Sequence, residues 1–532
     1  MKLPIPHPAG EHAVRPKSAK CNPCGPTNPS KMTSHRPPAV RHRNIVPDLN
    51  QSARTRTALL TTLIVAASSC SASGNEPLHI GSRRELFVDR LLIDRMDGVE
   101  LRLHHPVKAP RPDSPLPVAH YITVIKDADQ TGDLYRAWWR GSDPSFTGDR
   151  HTGHAGETVE YAESRDGHEW TFPRLGLHEI GGTRDNNVLL ANTPPLLTNF
   201  TPFLDTRPGV SPQEKFKALA GYPGPGDKRG KARPGMGLFA FVSPDGIHWQ
   251  QREEVIPYRN EWRHAFDSQN VSFWSQAEQQ YVCYFRTWTS PERLRSISRT
   301  TSSDFHNWTK PVAMNPNRPG EHLYTNQTHP YVRAPHIYIA LPTRFVPDRG
   351  DPPHDDLKDN NATDILLMTS RAGSEKYDRI FTQAFIRPGL EPDRWKNRAN
   401  YVALNVVPTA PQEMSIYHRS GDRYVLRTDG FVSVHADAQQ GELLTRQLTF
   451  TGSNLHVNLS TSAAGSLRCE LQTADGRPLP GFSLDQSHPA FGDSIDIKLT
   501  WKNNPDLAAY AGTPVRLRFQ LQECDLYAIR FK

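Results

Sequence analysis

The stretch Ala240-Phe-Val-Ser243-Pro-Asp245-Gly246-Ile-His-Trp249 joins a short β-like run to a Ser-x-Asp-Gly turn and sets a Trp three residues beyond the Gly. It recurs upstream as Tyr161-Ala-Glu-Ser164-Arg-Asp166-Gly167-His-Glu-Trp170 and downstream as Ser302-Ser-Asp304-Phe305-His-Asn-Trp308, where Phe holds the Gly slot. Met368-Thr-Ser370-Arg-Ala-Gly373 is a degenerate fourth copy. Recurrence at intervals of tens of residues restricts the chain to folds that repeat one supersecondary unit. In such a turn Gly supplies a positive φ and the Asp side chain caps nearby backbone N–H groups. One role repeated around a structure indicates scaffold, which argues against catalysis by Asp166, Asp245 or Asp304.

Each turn is preceded by two further strand-like runs, giving five triplets. They begin at His120, Asn199, Phe266, Gln327 and Tyr401, and their third runs end near Ala162, Val242, Thr300, Met368 and Arg427. Three strands plus a fourth after each Trp make one blade, and five blades in a ring protect the edges that isolated sheets expose. The expected fold class is therefore all-β: a five-bladed β-propeller over 77–432. From about Ser433 the pattern changes to strict alternation, as in Leu455-His-Val-Asn-Leu-Ser460 and Val515-Arg-Leu-Arg-Phe-Gln-Leu521. Period-2 runs of that length predict a C-terminal antiparallel β-sandwich over 433–532.

The N-terminal segment reads differently. Residues 1–53 have no periodicity and resemble a disordered or mis-started leader, with Met32 an alternative initiator. Arg54 and Arg56 precede the apolar run Ala58–Ala67 and a small-residue exit to Gly74, the layout of a secretory signal over 54–74 and too short to span a bilayer. The expectation is an exported protein, periplasmic or extracellular, cleaved near Ala72 or Gly74 or lipid-anchored at Cys70. Cys21-Asn-Pro-Cys24 has no second pair and reads as incidental, whereas Cys469 and Cys524 lie in late strands and are either a pair or two buried thiols.

The net charge of +7 resides in that leader: 1–56 holds ten of the 63 Lys and Arg but only two of the 56 Asp and Glu. The remainder has 53 basic and 54 acidic residues, without the clustered excess that phosphate recognition requires. Nucleic acid is excluded as a partner, and no other segment approaches membrane-spanning length.

Five such blades with Ser-x-Asp-Gly-x-x-Trp turns, a secretion signal and a C-terminal sandwich resemble the five-bladed propeller glycoside hydrolases, invertase-type family 32 first and arabinanase-type family 43 close behind. The layout also resembles a group of secreted planctomycete-type bacterial proteins. The resemblance implies an active site in the central funnel, where the inner strand of each blade begins, and a pair of carboxyl groups flanking a glycosidic oxygen. Such pairs stand about 5–5.5 Å apart for retention and ~6.5–9.5 Å for inversion. Among the inner-strand openings only Ala265-Phe-Asp267-Ser-Gln-Asn270 carries an acid, so Asp267 is the expected base or nucleophile, with Asn270 beside it. Glu413, opening a middle strand, is the expected acid, and Asp89 is a distant third carboxylate. The Asn-Asp-Pro-Asn-Gly, Arg-Asp-Pro and Glu-Cys signatures of invertase-type enzymes are absent.

Arg140, Arg286 and Arg344 fall near the ends of second strands in three blades. They form either an inward ring gripping a carboxylated or sulfated sugar or a set of salt bridges between blades. Trp288 and Trp262, near loops, are candidates for stacking on sugar, and His329 stands at the fourth opening. The acidic loop Asp348–Asp364 lacks EF-hand spacing, and no His cluster has ligand spacing, so neither metal nor cofactor is expected. The expected partner is an oligo- or polysaccharide, with an anionic one allowed. The function read from the sequence is hydrolysis of a glycosidic bond by paired carboxylates; the alternative is a non-catalytic carbohydrate-binding propeller.

Overall fold

A computed structural model describes residues 76–150, 152–191, 197–221, 236–259, 262, 264–350 and 359–532. The leader, the signal segment with Cys70, the Cys21/Cys24 pair, and Asp351, Asp355 and Asp356 of the acidic loop lie outside the described residues. The all-β class holds. Helical structure among the described residues is confined to three short 3-10 turns, and no helix there is long and apolar enough to cross a membrane.

Five sheets follow the triplets. The first consists of His120–Asp129, Gly132–Ser142, Glu157–Ser164 and Val188–Leu190. The second is Thr201–Leu204, Phe216–Ala220, Gly237–Ser243 and Gln250–Pro257. The third is Val271–Ser275, Gln280–Trp288, Arg295–Ser302 and Val312–Ala313. The fourth is His329–Tyr331, Ala334–Ala340 and Met368–Arg371. The fifth is Val407–Ala410, Glu413–Tyr417 and Arg423–Arg427, to which the early strand Val107–Lys108 adds an edge. All five sheets pair antiparallel in chain order.

The first strands meet in cyclic order: second against first and third, third against fourth, fifth against first. His329 Nε2 accepts from Val406 N at 3.0 Å and links fourth to fifth. This ring is the propeller. Two details differ from the sequence reading. Tyr401–Leu404, expected as the inner strand of the fifth blade, only bridges to neighbours at Val402 and Leu404, and the strand itself starts at Val407. Asp364–Met368 divides between Ala362–Ile365, which joins His322–Leu323 and Thr343–Val346 in a separate small sheet, and the fourth blade.

The boundary at 77 also moves. Leu78–Gly81, Glu85–Leu86, Ile93–Asp97 and Glu100–Leu103 hydrogen-bond into the C-terminal sheet, against 448–450, 515–531, 441–445 and 432–436. Ile80 of the first of these strands, with Phe87 and Leu92 from the connection that follows the second, completes the sandwich core with Leu517, Phe519 and Phe531. That domain is built on two long strands, Leu455–Thr473 and Val515–Phe531, whose register shifts bend them between layers. Cys469 faces Phe519 and Cys524 faces Thr461, so the two thiols are strand-lengths apart; both are buried and free.

The recurrent turns fasten blade to blade. Ser164, Ser243 and Ser302 accept through Oγ from the N–H of Gly167, Gly246 and Phe305 at 2.8–2.9 Å. Oδ1 of Asp166, Asp245 and Asp304 each accepts from two following backbone N–H groups. The slot has φ +74° at Gly167 and +79° at Gly246, and Phe305 adopts +70° while packing on Phe203 and Tyr281. The freed carbonyls take donors from the preceding sheet: Tyr417 OH to Gly167 O at 2.7 Å and Trp138 Nε1 to Gly246 O at 2.8 Å.

Candidate functional site at the mouth of the ring

Each inner strand is entered through one non-glycine residue in the left-handed region: Tyr121, Asn199, Phe266, Gln327 and Asn405, with φ between +50° and +79°. Such backbone is uncommon for any side chain and strained for bulky ones, and it persists only where packing enforces it. Below it, buried amides tie the sheets together. Gln327 Nε2 donates to Gln269 Oε1 (2.6 Å) and Val402 O (2.7 Å), and Gln269 Nε2 to Ile122 O (3.2 Å). Asn199 Nδ2 donates to Phe266 O (3.0 Å) and Asn405 Nδ2 to Val124 O (2.8 Å). These amides form a floor. Beyond it, toward the turn end, lies an apolar cavity of about 360 Å³ lined by Phe203, Phe273, Trp274, Tyr331 and Val406.

Above the floor, at the mouth, Asp267 receives Arg286 Nη2 at 2.6 Å, with its carboxylate 29% exposed and Arg286 3% exposed. Arg286 Cζ lies 5.3 Å from the centroid of Tyr324. Tyr324 meets Tyr401 at 5.6 Å, and Tyr401 stacks on Tyr121 at 5.9 Å. Arg140 stands 5.1 Å over Tyr121, and Arg295 lies 4.9 Å over Tyr324 and 4.7 Å over Trp288. Exposed Arg398 and half-buried Arg419 approach the same rings. Burial disfavours the Arg286 charge, and Asp267 with Tyr324 more than restores it, leaving its pKa raised. Burial and then Arg286 lower that of Arg295. His120 is pushed down to about 3 by burial and then by Arg419, Arg140 and Arg398, so it is neutral in this setting. The basin is aromatic, cationic and holds one open carboxylate among the described residues.

The residues expected from sequence divide. Asp267, Arg140, Arg286 and Trp288 come together at the mouth. Asn270 is buried beneath it and donates to Phe266 O and Ser268 O, fixing the turn that presents Asp267. Glu413 does not join them. It accepts from Thr409 Oγ1 and Arg423 Nη1 at 2.8 Å and lies 3.8 Å from His168 in the Ser164–Trp170 turn, at the far end of the ring. Burial raises its carboxyl, but Thr409 and Arg423 bring it below the ordinary range. Four strand steps, about 13 Å at strand rise, separate it from the backbone of Tyr417, two residues short of Arg419, while the Tyr417 side chain reaches back to the turn at Gly167 O.

Asp89 is buried with Arg371 Nε at 2.6 Å and, beside Glu85 and His336, locks the N-terminal segment to the fourth blade. Arg344 pairs with Asp364, since alternation turns Phe345 rather than Arg344 toward the tyrosines. His329 is spent on Gln327 O and Val406 N; burial first of all lowers its pKa to about 4. Trp262 packs on Phe266 and Phe285.

The sequence reading missed Tyr324, Arg295, Arg398 and Arg419; Tyr401 entered it only as the start of the fifth triplet, and Tyr121 follows the start of the first. It also missed two carboxyl groups in the mouth half of the first sheet. Glu157, buried, accepts from Thr198 Oγ1 (2.6 Å) and Gly153 N (2.9 Å) and stands 3.5 Å from Arg140, which it positions. Among the described residues Glu160 accepts from Trp139 Nε1 and Thr158 Oγ1 and has no cation beside it, and burial raises its pKa.

No protein-family model matches the chain, and no curated protein matches it. Solved structures similar to it include an N-acetylgalactosamine deacetylase from F. plautii in complex with blood group B trisaccharide, at 10% identity over 79% of this chain and 95% of that one, TM-score 0.38. A thermostable family-43 glycoside hydrolase is similar at 12% identity over 62% and 96%, TM-score 0.38. A Bombyx mori GH32 beta-fructofuranosidase is similar at 9% identity over 81% and 94%, TM-score 0.36.

Proposed function

We propose that this chain is an exported, five-bladed carbohydrate-binding propeller whose saccharide site is the mouth around Asp267. The observation that carries this reading is the mouth itself: half-buried Trp288 offers a ring face suited to sugar C–H surfaces beside the buried cluster of Tyr121, Tyr324 and Tyr401, and Asp267, held by buried Arg286, offers a fixed acceptor for hydroxyls. Glu413 supplies no acid there, which favours binding over cleavage by the expected dyad. Glycosidic cleavage is the second reading, and Glu160 is the observation in its favour. A carboxyl whose pKa burial raises meets one condition of a general acid, although Glu160 stands on the third strand of its blade, about 10 Å out from the inner one at ordinary strand spacing.

A panel of oligosaccharides, scored both for binding and for release of reducing ends, separates the readings. The binding reading expects saturable binding without turnover, weakened by Trp288→Ala. Turnover that falls at least 100-fold in both Asp267→Asn and Glu160→Gln would install the cleavage reading in its place. Absence of binding by any glycan would end both.

A further inference from the structure

We infer that the mouth recognises an oxyanion substituent, a carboxylate or a sulfate, on its saccharide, held between Arg286, Arg295 and Arg398. This inference rests on the mouth being the saccharide site. Arg286 is buried and commits Nη2 to Asp267; its Nε and Nη1 have no hydrogen-bond partner among the described residues. Arg295 lies over the same Tyr324 ring as Arg286, has no acidic partner among the described residues, and leaves Nε unpartnered. Arg398 reaches the same tyrosines from the entry to the fifth blade, held there in a left-handed conformation. The hydroxyl of Tyr401, a residue 2% exposed, also has no hydrogen-bond partner among the described residues.

Among the described residues three guanidinium groups thus face one carboxylate, leaving two positive charges in excess within an aromatic enclosure. Like charges packed on one ring repel more strongly where the dielectric is low, so the arrangement favours a ligand that brings negative charge. Guanidinium forks match the geometry of carboxylate and sulfate oxygens. Arg140 contributes less, because Glu157 already stands beside it. Elsewhere in the ring, arginines with comparable burial have their acid at hand: Arg371 with Asp89 and Glu85, Arg299 with Glu278, Arg379 with Glu321. The mouth departs from that habit.

The test uses the full chain and matched probes: galacturonate and glucuronate oligosaccharides, their carboxyl-reduced neutral counterparts, and a 6-sulfated galactose oligosaccharide, titrated calorimetrically at low and high salt. The expected result is at least tenfold tighter binding of an acidic probe than of its neutral counterpart, a preference that shrinks with salt. Arg398→Gln and Arg295→Gln should each reduce acidic binding at least fivefold and bring it toward that of the neutral counterpart. Stronger binding of the uronates assigns the carboxylate, and stronger binding of the sulfated probe assigns the sulfate. Equal affinity for acidic and neutral probes, both weakened by Trp288→Ala, would overturn the oxyanion inference and leave the saccharide site standing. Probe binding that is indifferent to Trp288→Ala, Arg295→Gln and Arg398→Gln would overturn both.

Discussion

The two ends of the propeller satisfy their polar groups in opposite ways. At the turn end, Ser164, Asp166 and their counterparts in the next two blades find donors within a few residues, and the slot carbonyls at 167 and 246 find a Tyr or Trp of the neighbouring sheet. At the mouth, Arg286, Arg295 and Tyr401 keep buried polar atoms with no hydrogen-bond partner among the described residues, and five non-glycine residues hold left-handed backbone. Unpartnered atoms also occur in the scaffold, at Arg136, Arg299 and Arg379, but those guanidinium groups have an acid beside them, whereas Arg295 has none among the described residues. The same sheets therefore carry a closed scaffold at one end and an open binding surface at the other, and substitutions should act differently on the two.

The largest effect is expected from Gly246→Val. Position 246 has φ +79°, and a Cβ there would stand 2.9 Å from Trp138 Cζ2 of the adjacent sheet. A β-branched residue meets both the backbone penalty and the clash, which together amount to about 3 kcal/mol. Urea unfolding should show that loss, while the remaining native protein binds saccharide as before. Stability within error of the parent would remove the fastening role of the turn.

A smaller pair of opposite effects compares the ends directly. Asp304→Ala removes the acceptor for His306 N and Asn307 N and should cost about 1 kcal/mol, as other lost caps do. Backbone donation from Asn307, then its side chain, holds the Asp304 carboxyl well below the ordinary range. The folded pKa is the lower one, so the contribution is complete above about pH 4, the unfolded value. It fades only as pH falls further. Tyr401→Phe removes a buried hydroxyl that has no hydrogen-bond partner among the described residues and should raise stability by up to about 1 kcal/mol. At the same time it should weaken saccharide binding several-fold. Loss of stability from both variants would mean that the mouth is ordinary core.

What could be read in the sequence follows the same division. The turns and blades were legible because their causes are local: a Gly or Phe slot, an Asp cap, a Trp three residues on. Asp267 was legible because it opens an inner strand. Tyr324, Arg295 and Arg398 were not, because they enter the mouth from loops and strand starts in three different segments that share no spacing. The pairing of 78–103 with 432–531 was hidden for a related reason, since nothing in a short strand names a partner more than three hundred residues away. Arg344 shows how one step of register exchanges inward for outward, with Phe345 taking the inner face.

Glu413 is the most instructive displacement and yields the smallest expected effect. It opens a second strand, and in an antiparallel sheet a second strand starts where the first one ends, away from the mouth. By the same rule Arg140 and Arg286, near the ends of second strands, return to the mouth, where the structure has them. Glu413→Gln keeps the Thr409 hydrogen bond and loses a half-exposed ion pair with Arg423, a change of at most about 1 kcal/mol. Saccharide binding and any turnover should match the parent across the glycan panel. A drop of tenfold or more in either would mean that the two ends communicate, or that substrate reaches the turn end, and the division between closed scaffold and open mouth would have to be abandoned.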